Sequence, residues 1–393
     1  MEIKRFRVII YYVVISLFWM SLYVYVPNLS SYSSKVIGAT DTMVGSIIGS
    51  YGLTQLILRV PLGIISDKLG KRKIFVILGC AVSAISAMGL ALSTGPVGMM
   101  IFRGLAGVAA SAWVTFTVLF SSYFKADEAP KAMLTAMICN NLGQMTATLL
   151  GGILSEKLGP TSPFWCSAII GAAAVLMSLL VMEKKPETPK SLRVVDLLKV
   201  GTDKQLLIVS GLAIMYQIIN QGMTFGFTPK LLMEIGGTDF QKGLLNSVSI
   251  LGMMVMSLVT SNILIKKMPA RYCIWIGQIM TAVAACLIPI IGTNVLTVFV
   301  LQFILGAGNG LSFPLLMGIA IKNISQDKRG AAMGFFQSIY ALGMYIGPQL
   351  LGILSDKFSL SIGIFCVGCI GFVAFIMAFF ALREKKGERL PTA

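Results

Sequence analysis

Twelve stretches of this 393-residue chain are almost wholly apolar, at about 8–28, 42–66, 74–94, 96–124, 132–155, 162–182, 205–229, 243–265, 272–292, 294–321, 330–355 and 358–382. Each reaches the roughly 20 residues that a helix needs to cross a hydrocarbon core. Each is also too long and unbroken for the alternating strands of a membrane barrel. Charged residues make up only 12% of the chain, against roughly 25% in a soluble domain. A soluble protein of this size could not hide that much apolar surface. The sequence therefore predicts an all-α integral membrane protein with 12 transmembrane helices.

The formal charge of +16 does not point to nucleic acid, because the basic residues fall in short clusters between apolar runs. With the N-terminus inside, the cytoplasmic segments hold 25 of the 32 Lys and Arg. The opposite face holds Lys35, Lys157, Lys230, Lys242 and Lys357, and Arg59 and Arg103 lie within spans. That bias predicts a multi-pass protein of the cell membrane with both termini cytoplasmic, its charge facing anionic lipid headgroups. The basic start Met1–Arg7 and the apolar run after it read as the first span, since no small-residue cleavage site follows. All seven Cys lie in apolar stretches and the chain has no His. Neither a disulfide framework nor a metal site is expected, and no cofactor.

The longest connection divides the chain into a first half (1–184), a linker (185–204) and a second half (205–393). In the linker Leu192, Val195 and Leu198 share one face of a short amphipathic helix suited to the membrane surface. The halves repeat each other. Leu142-Gly143 and Gly152-Ile-Leu-Ser-Glu-Lys157 return 200 residues later as Leu342-Gly343 and Gly352-Ile-Leu-Ser-Asp-Lys357. Gly38-Ala-Thr-Asp41 returns as Gly236-Gly-Thr-Asp239, and each Thr-Asp is placed to cap a helix. A smaller repeat lies inside the first half: Gly63-Ile-Ile-Ser-Asp-Lys-Leu-Gly70 recurs as Gly152-Ile-Leu-Ser-Glu-Lys-Leu-Gly159, at spans that end on opposite faces. The expected architecture is two pseudo-symmetric six-helix bundles, each built of inverted three-helix repeats.

The segment Gly63-Ile-Ile-Ser-Asp67-Lys68-Leu-Gly70-Lys71-Arg72-Lys73 has the form G-x-x-x-D-[RK]-x-G-R-[RK], with Lys71 in place of the second Arg. Arg103-Gly-Leu-Ala-Gly107 has the form R-x-x-x-G. On these motifs, and over its whole length, the chain resembles the major facilitator superfamily of transporters. The resemblance implies that Asp67, amid Lys68, Lys71 and Arg72, faces the start of span 11 as a latch that holds the cytoplasmic side shut. Span 5 (Gly143, Gly151, Gly152) departs from that family's antiporter signature by lacking its Gly-Pro, which stands instead in span 11 as Gly347-Pro348, after Gly343. Glycines four residues apart let helix backbones approach closely in lipid. Pro348 leaves a carbonyl without its donor, so a hinge role is also open.

Arg59 and Arg103 have no intramembrane acid to pair with, and an Arg there costs at least about 2.5–3.5 kcal/mol on insertion scales. For Arg59 both snorkelling to the headgroups and contact with an anion are open. For Arg103 both a structural or coupling role and a substrate role are open. Trp19 and Tyr23 on span 1, Gln144 on span 5, Gln217, Asn220 and Gln221 on span 7, Gln302 and Asn309 on span 10 and Tyr340 on span 11 are the candidate polar lining of a central cavity. No nucleophile–base pair, metal cluster or phosphate-binding loop is present, which argues against an enzyme or an ATP-driven pump.

The expected function is secondary-active transport by alternating access. The expected substrate is a small organic anion or a neutral metabolite, with a proton or ion as an allowed co-substrate. A proton-coupled exporter of drugs or amphiphiles is the alternative within that class, and a non-transporting membrane receptor is the alternative outside it. A monomer in the lipid bilayer, without nucleic acid, is the default expectation.

Overall fold

A computed structural model describes residues 2–124, 128–183, 201–324 and 328–382. The linker helix expected around Leu192, Val195 and Leu198 lies outside the described residues, as does the side chain of Asp67. No strand occurs among the described residues. The chain forms span 1 (Phe6–Lys35), span 2 (Asp41–Ser66), span 3 (Arg72–Leu92) and span 4 (Pro96–Ser121). Span 5 (Ala129–Leu158) and span 6 (Ser162–Leu179) complete the first half. Span 7 (Lys204–Glu234), span 8 (Asp239–Lys267), span 9 (Ala270–Ile291), span 10 (Val295–Lys322), span 11 (Arg329–Lys357) and span 12 (Leu360–Ala381) form the second. Among the described residues, all but span 5 are long and apolar enough to cross a membrane. Span 5 is 30 residues long, but Asn140, Asn141, Gln144, Thr146 and Thr148 make it more polar.

The same pairings recur in each half. Span 1 lies on span 5, span 2 on span 4 and span 3 on span 6, as span 7 lies on span 11, span 8 on span 10 and span 9 on span 12. Between the halves, span 2 runs along span 11 and span 5 along span 8.

Local chemistry sets the helix ends. Gly38 (φ 75°) and Gly236 (φ 86°) turn the chain through the left-handed region just before spans 2 and 8, a conformation that Gly adopts without strain. Thr238 then caps span 8 in a capping box with Gln241, and the Thr40 hydroxyl accepts from the Met43 N–H at 3.3 Å. At the other ends of the internal repeat, Gly70 (φ 60°) and Gly159 (φ 92°) terminate spans 2 and 5, as left-handed glycines commonly do.

Four spans are less regular than the sequence predicts: span 4 is interrupted at Ala112 and span 8 has a π-helical turn at Thr260–Leu264, and spans 1 and 7 depart further. Span 1 breaks at Val24–Tyr25 and resumes as a helix from Val26 to Lys35. Span 7 widens into a π-helical segment, Asn220–Phe227. Pro27 and Pro229 follow these breaks closely, and each lacks the N–H that a preceding carbonyl would accept from.

The end of the bundle that carries Asp41, Asp239 and Asp356 lies far from the first residues of the chain and is called distal below. There the halves meet backbone to backbone. A Cβ on Gly45 would collide with the Pro348 carbonyl, and one on Gly352 with the Asp41 carbonyl. On the other seam a Cβ on Gly152 would lie 2.8 Å from the Asp239 carbonyl, and one on Gly243 would strike the Thr148 carbonyl. Within the halves, Gly143 and Gly151 seat span 5 on span 1, and Gly343 and Gly347 seat span 11 on span 7.

Candidate functional site

Span 2 supplies a buried charge between the halves. Arg59 is 3% exposed, so it does not snorkel to the headgroups. It turns inward to span 11 of the other half, donating from Nη1 to Tyr340 Oη at 3.1 Å and to the Gln337 carbonyl at 3.3 Å. Nη2 donates to Gln55 Oε1, one turn earlier on span 2. The guanidinium also lies 5.6 Å from the centre of the Tyr340 ring. These partners are all neutral, and Nε has none.

Arg103 is buried inside the first half. Its Nη1 donates to Tyr25 Oη at 2.7 Å, and the guanidinium lies 4.2 Å from the centre of the Tyr51 ring. A cation against an aromatic face in a dry setting gains about 2 kcal/mol or more, a large part of its insertion cost. Gly107, one turn further along span 4, lets that helix press on the Tyr51 carbonyl of span 2. Arg103 is thus held by tyrosines of its own half, whereas Arg59 joins the halves.

Aromatic rings fill the space around these charges. Trp19 packs against Trp113 at 5.3 Å and Tyr23 at 5.9 Å. Tyr23 meets Phe225 of the π-helical segment at 5.4 Å, edge to face. On the side of the second half, Tyr340 contacts Phe313 and Phe336, and Phe313 stacks on Tyr216 at 4.2 Å. The indole N–H of Trp19 and the carbonyl oxygen of the Gln217 side chain are buried without a partner. Gln221 is 4% exposed, and Asn220 is half-buried at the start of the π-helical segment.

The remaining amides have other partners or none. Gln144 donates to Asn140 Oδ1 on its own helix at 2.6 Å. Asn309 accepts from the Thr281 hydroxyl at 3.2 Å and so faces span 9. Gln302 is wholly buried, one turn before Gly306, the residue that meets Ser249 of span 8.

The segment after span 2 docks on the end of span 6: Lys73 Nζ donates to the Leu179 carbonyl at 2.7 Å, and the Arg72 N–H donates to Glu183. Lys71 precedes span 3 and Lys68 is exposed. Gly70 ends the helix, while a Cβ on Gly63 would meet only Val114 Cγ1, at 3.5 Å.

The distal seam pairs lysines that the sequence reading placed on the outer face with aspartates that it placed at helix caps. Asp41 pairs with Lys230 of span 7 and accepts from the Ser355 hydroxyl. Asp239 pairs with Lys242 at 2.8 Å and accepts from the Ser155 hydroxyl. Lys242 is 2% exposed, and its ammonium donates to Ser31 Oγ at 2.8 Å. Deeper in the seam, Thr148 and Ser247 hydroxyls meet at 2.9 Å, and Ser46 donates to Gln349 at 2.9 Å. The Thr-Asp repeats signalled that these ends matter, but not that they touch.

A sequence model of the Major Facilitator Superfamily matches residues 11–229 and 210–393. The chain belongs to this superfamily. It is 27% identical to the inner membrane transport protein YajR of Escherichia coli, over 90% of this chain and 78% of that one. To an uncharacterised superfamily transporter of Methanocaldococcus jannaschii it is 24% identical, over 84% and 86%. A solved structure of a bacterial homologue of the human lysosomal transporter Spinster has the same fold, with TM-score 0.82 and 14% identity over 99% of each chain. As a superfamily member the protein is a multi-pass membrane transporter of a small molecule, and it is not an enzyme.

Proposed function

We propose that the protein moves a small organic anion by alternating access, with Arg59 as the residue that contacts it. The observation that carries this reading is a buried guanidinium whose hydrogen bonds reach across both halves to neutral oxygens. An anion entering between spans 2 and 11 offers that group a stronger acceptor than an amide, a phenol or a carbonyl, because charge-assisted bonds are roughly twice as strong as neutral ones. Binding then competes with the Arg59–Tyr340 link between the halves, which ties substrate contact to their relative movement. A cation would meet a positive centre with no acid to offset its desolvation.

A second reading, export of amphiphilic compounds, draws on the aromatic group Trp19, Tyr23, Trp113 and Phe225, which offers stacking faces and the free indole N–H of Trp19. The lysine and arginine distribution supports a cell-membrane orientation with termini inside and the distal end outside. The halves divide at the 185–204 linker in this reading, and Asp67 is the cytoplasmic latch.

The test is counterflow in proteoliposomes with panels of anionic, neutral and cationic solutes. Exchange of an anion by wild type, lost in Arg59→Lys, supports the anion reading. Exchange of cations alone, unaffected by that substitution, sinks it.

A further inference from the structure

Glu156 and Asp356 hold the same place in the two copies of Gly-Ile-Leu-Ser-[Glu/Asp]-Lys, at the distal ends of spans 5 and 11. Each carboxylate reaches out of its own half to the first backbone amides of a helix in the other. Asp356 accepts from the Asp41 N–H at 2.9 Å and the Thr42 N–H at 2.7 Å, at the start of span 2. Glu156 accepts from the Phe240 N–H at 2.7 Å, at the start of span 8. The serine before each carboxylate repeats the pattern, Ser355 donating to Asp41 and Ser155 to Asp239.

The chemistry favours these contacts twice. First-turn N–H groups have no acceptor inside their own helix, and the positive end of the helix dipole attracts a negative charge. Asp41 and Asp239 would repel the incoming carboxylates, but Lys230 and Lys242 neutralise them. Both contacts join one half to the other, so neither survives separation of the distal ends of spans 2 and 11 or of spans 5 and 8.

From this geometry we propose that Glu156 and Asp356 are paired gating residues of the distal mouth, each holding it shut by capping a helix of the opposite half. The proposal rests on the alternating-access reading above. Removing one exposed carboxylate at a helix start shifts an equilibrium by about two- to fivefold. The two contacts lie on separate seams, so their effects multiply, to about four- to 25-fold for the pair.

The experiment measures the distal mouth directly, by spin-label distances between Val36→Cys and Leu296→Cys, exposed positions on the two halves, in a chain whose native cysteines are replaced. Glu156→Ala and Asp356→Ala are each expected to enlarge the long-distance population, and the double variant to enlarge it most. Exchanging the carboxylates (Glu156→Asp, Asp356→Glu) is expected to keep the wild-type distribution, since the two copies of the motif already use both residues. Unchanged melting temperatures in the alanine variants separate gating from misfolding.

A wild-type mouth that opens with substrate while the double variant matches it throughout overturns the gating assignment and leaves alternating access standing. A distal mouth that stays shut in wild type and in every variant, with or without substrate, overturns the alternating-access reading and the gate with it. A mouth shut in wild type but opened by the double variant supports the gate.

Discussion

At the scale of single residues, the two buried arginines are held differently. Arg59 is held by groups that an anion can displace, and an ammonium cannot reproduce its planar fork. Arg59→Lys is therefore expected to raise the KM for an anionic substrate by about 10-fold or more, from loss of a charged hydrogen bond of about 1.5–3 kcal/mol. Initial rates of counterflow check it. Arg103 lies against Tyr51 and Tyr25, and the expected effect of breaking that contact is on stability. Tyr51→Leu should cost about 2 kcal/mol and lower the melting temperature. The same change made on top of Arg103→Met should cost less, because no guanidinium is then left uncovered. A double-mutant cycle of melting curves measures the difference. The sequence marks both arginines as anomalous by their charge alone. Gln55 lies one helical turn from Arg59, but its other two partners stand on span 11, more than 270 residues away, and no local pattern points to them.

At the scale of elements, glycine positions separate close packing from chain reversal. Gly151 touches the Val24 carbonyl with no room for a methyl group, whereas Gly63 has ordinary contact distance around it. Gly151→Ala is expected to lower folded yield sharply and Gly63→Ala to leave it near wild type, as read by size-exclusion chromatography in detergent. The latch reading of the segment after span 2 gives a different expectation. Asp67→Asn should cut transport strongly while the protein remains folded, and near-normal turnover would refute it. The spans themselves were legible because hydrophobic length is a local property. The starts of spans 2 and 8 were legible because Thr before Asp is a local capping signal, seen at Thr40 and as a capping box at Thr238. Span 5 was legible by length, although its amides made it the least apolar of the twelve.

At the scale of the whole molecule, internal repetition let the sequence foretell the recurrent pairing of spans in each half. It did not reveal the distal seam. Charge counts placed Lys230, Lys242 and Lys357 together as loop charges, but Lys242 is 2% exposed between the halves. Helical periodicity says which face of span 8 it occupies. Only the docking of six helices on six says what that face meets.

The breaks in spans 1 and 7 bear on how such a molecule bends. Val24–Tyr25 and Asn220–Phe227 fall at matching depths, beside the glycines that seat span 5 on span 1 and span 11 on span 7. Each half therefore carries a soft joint, where the segments beyond, 26–35 and 228–234, can tilt without dragging the rest of the span. Such joints would let the proposed distal gate open by flexing two short levers, with no need for two rigid blocks to rock as wholes. Amides in the joints should trade hydrogen for deuterium sooner than those at mid-span in the unbroken helices of spans 3 and 9, and uniform protection along span 7 would speak for rigid blocks instead.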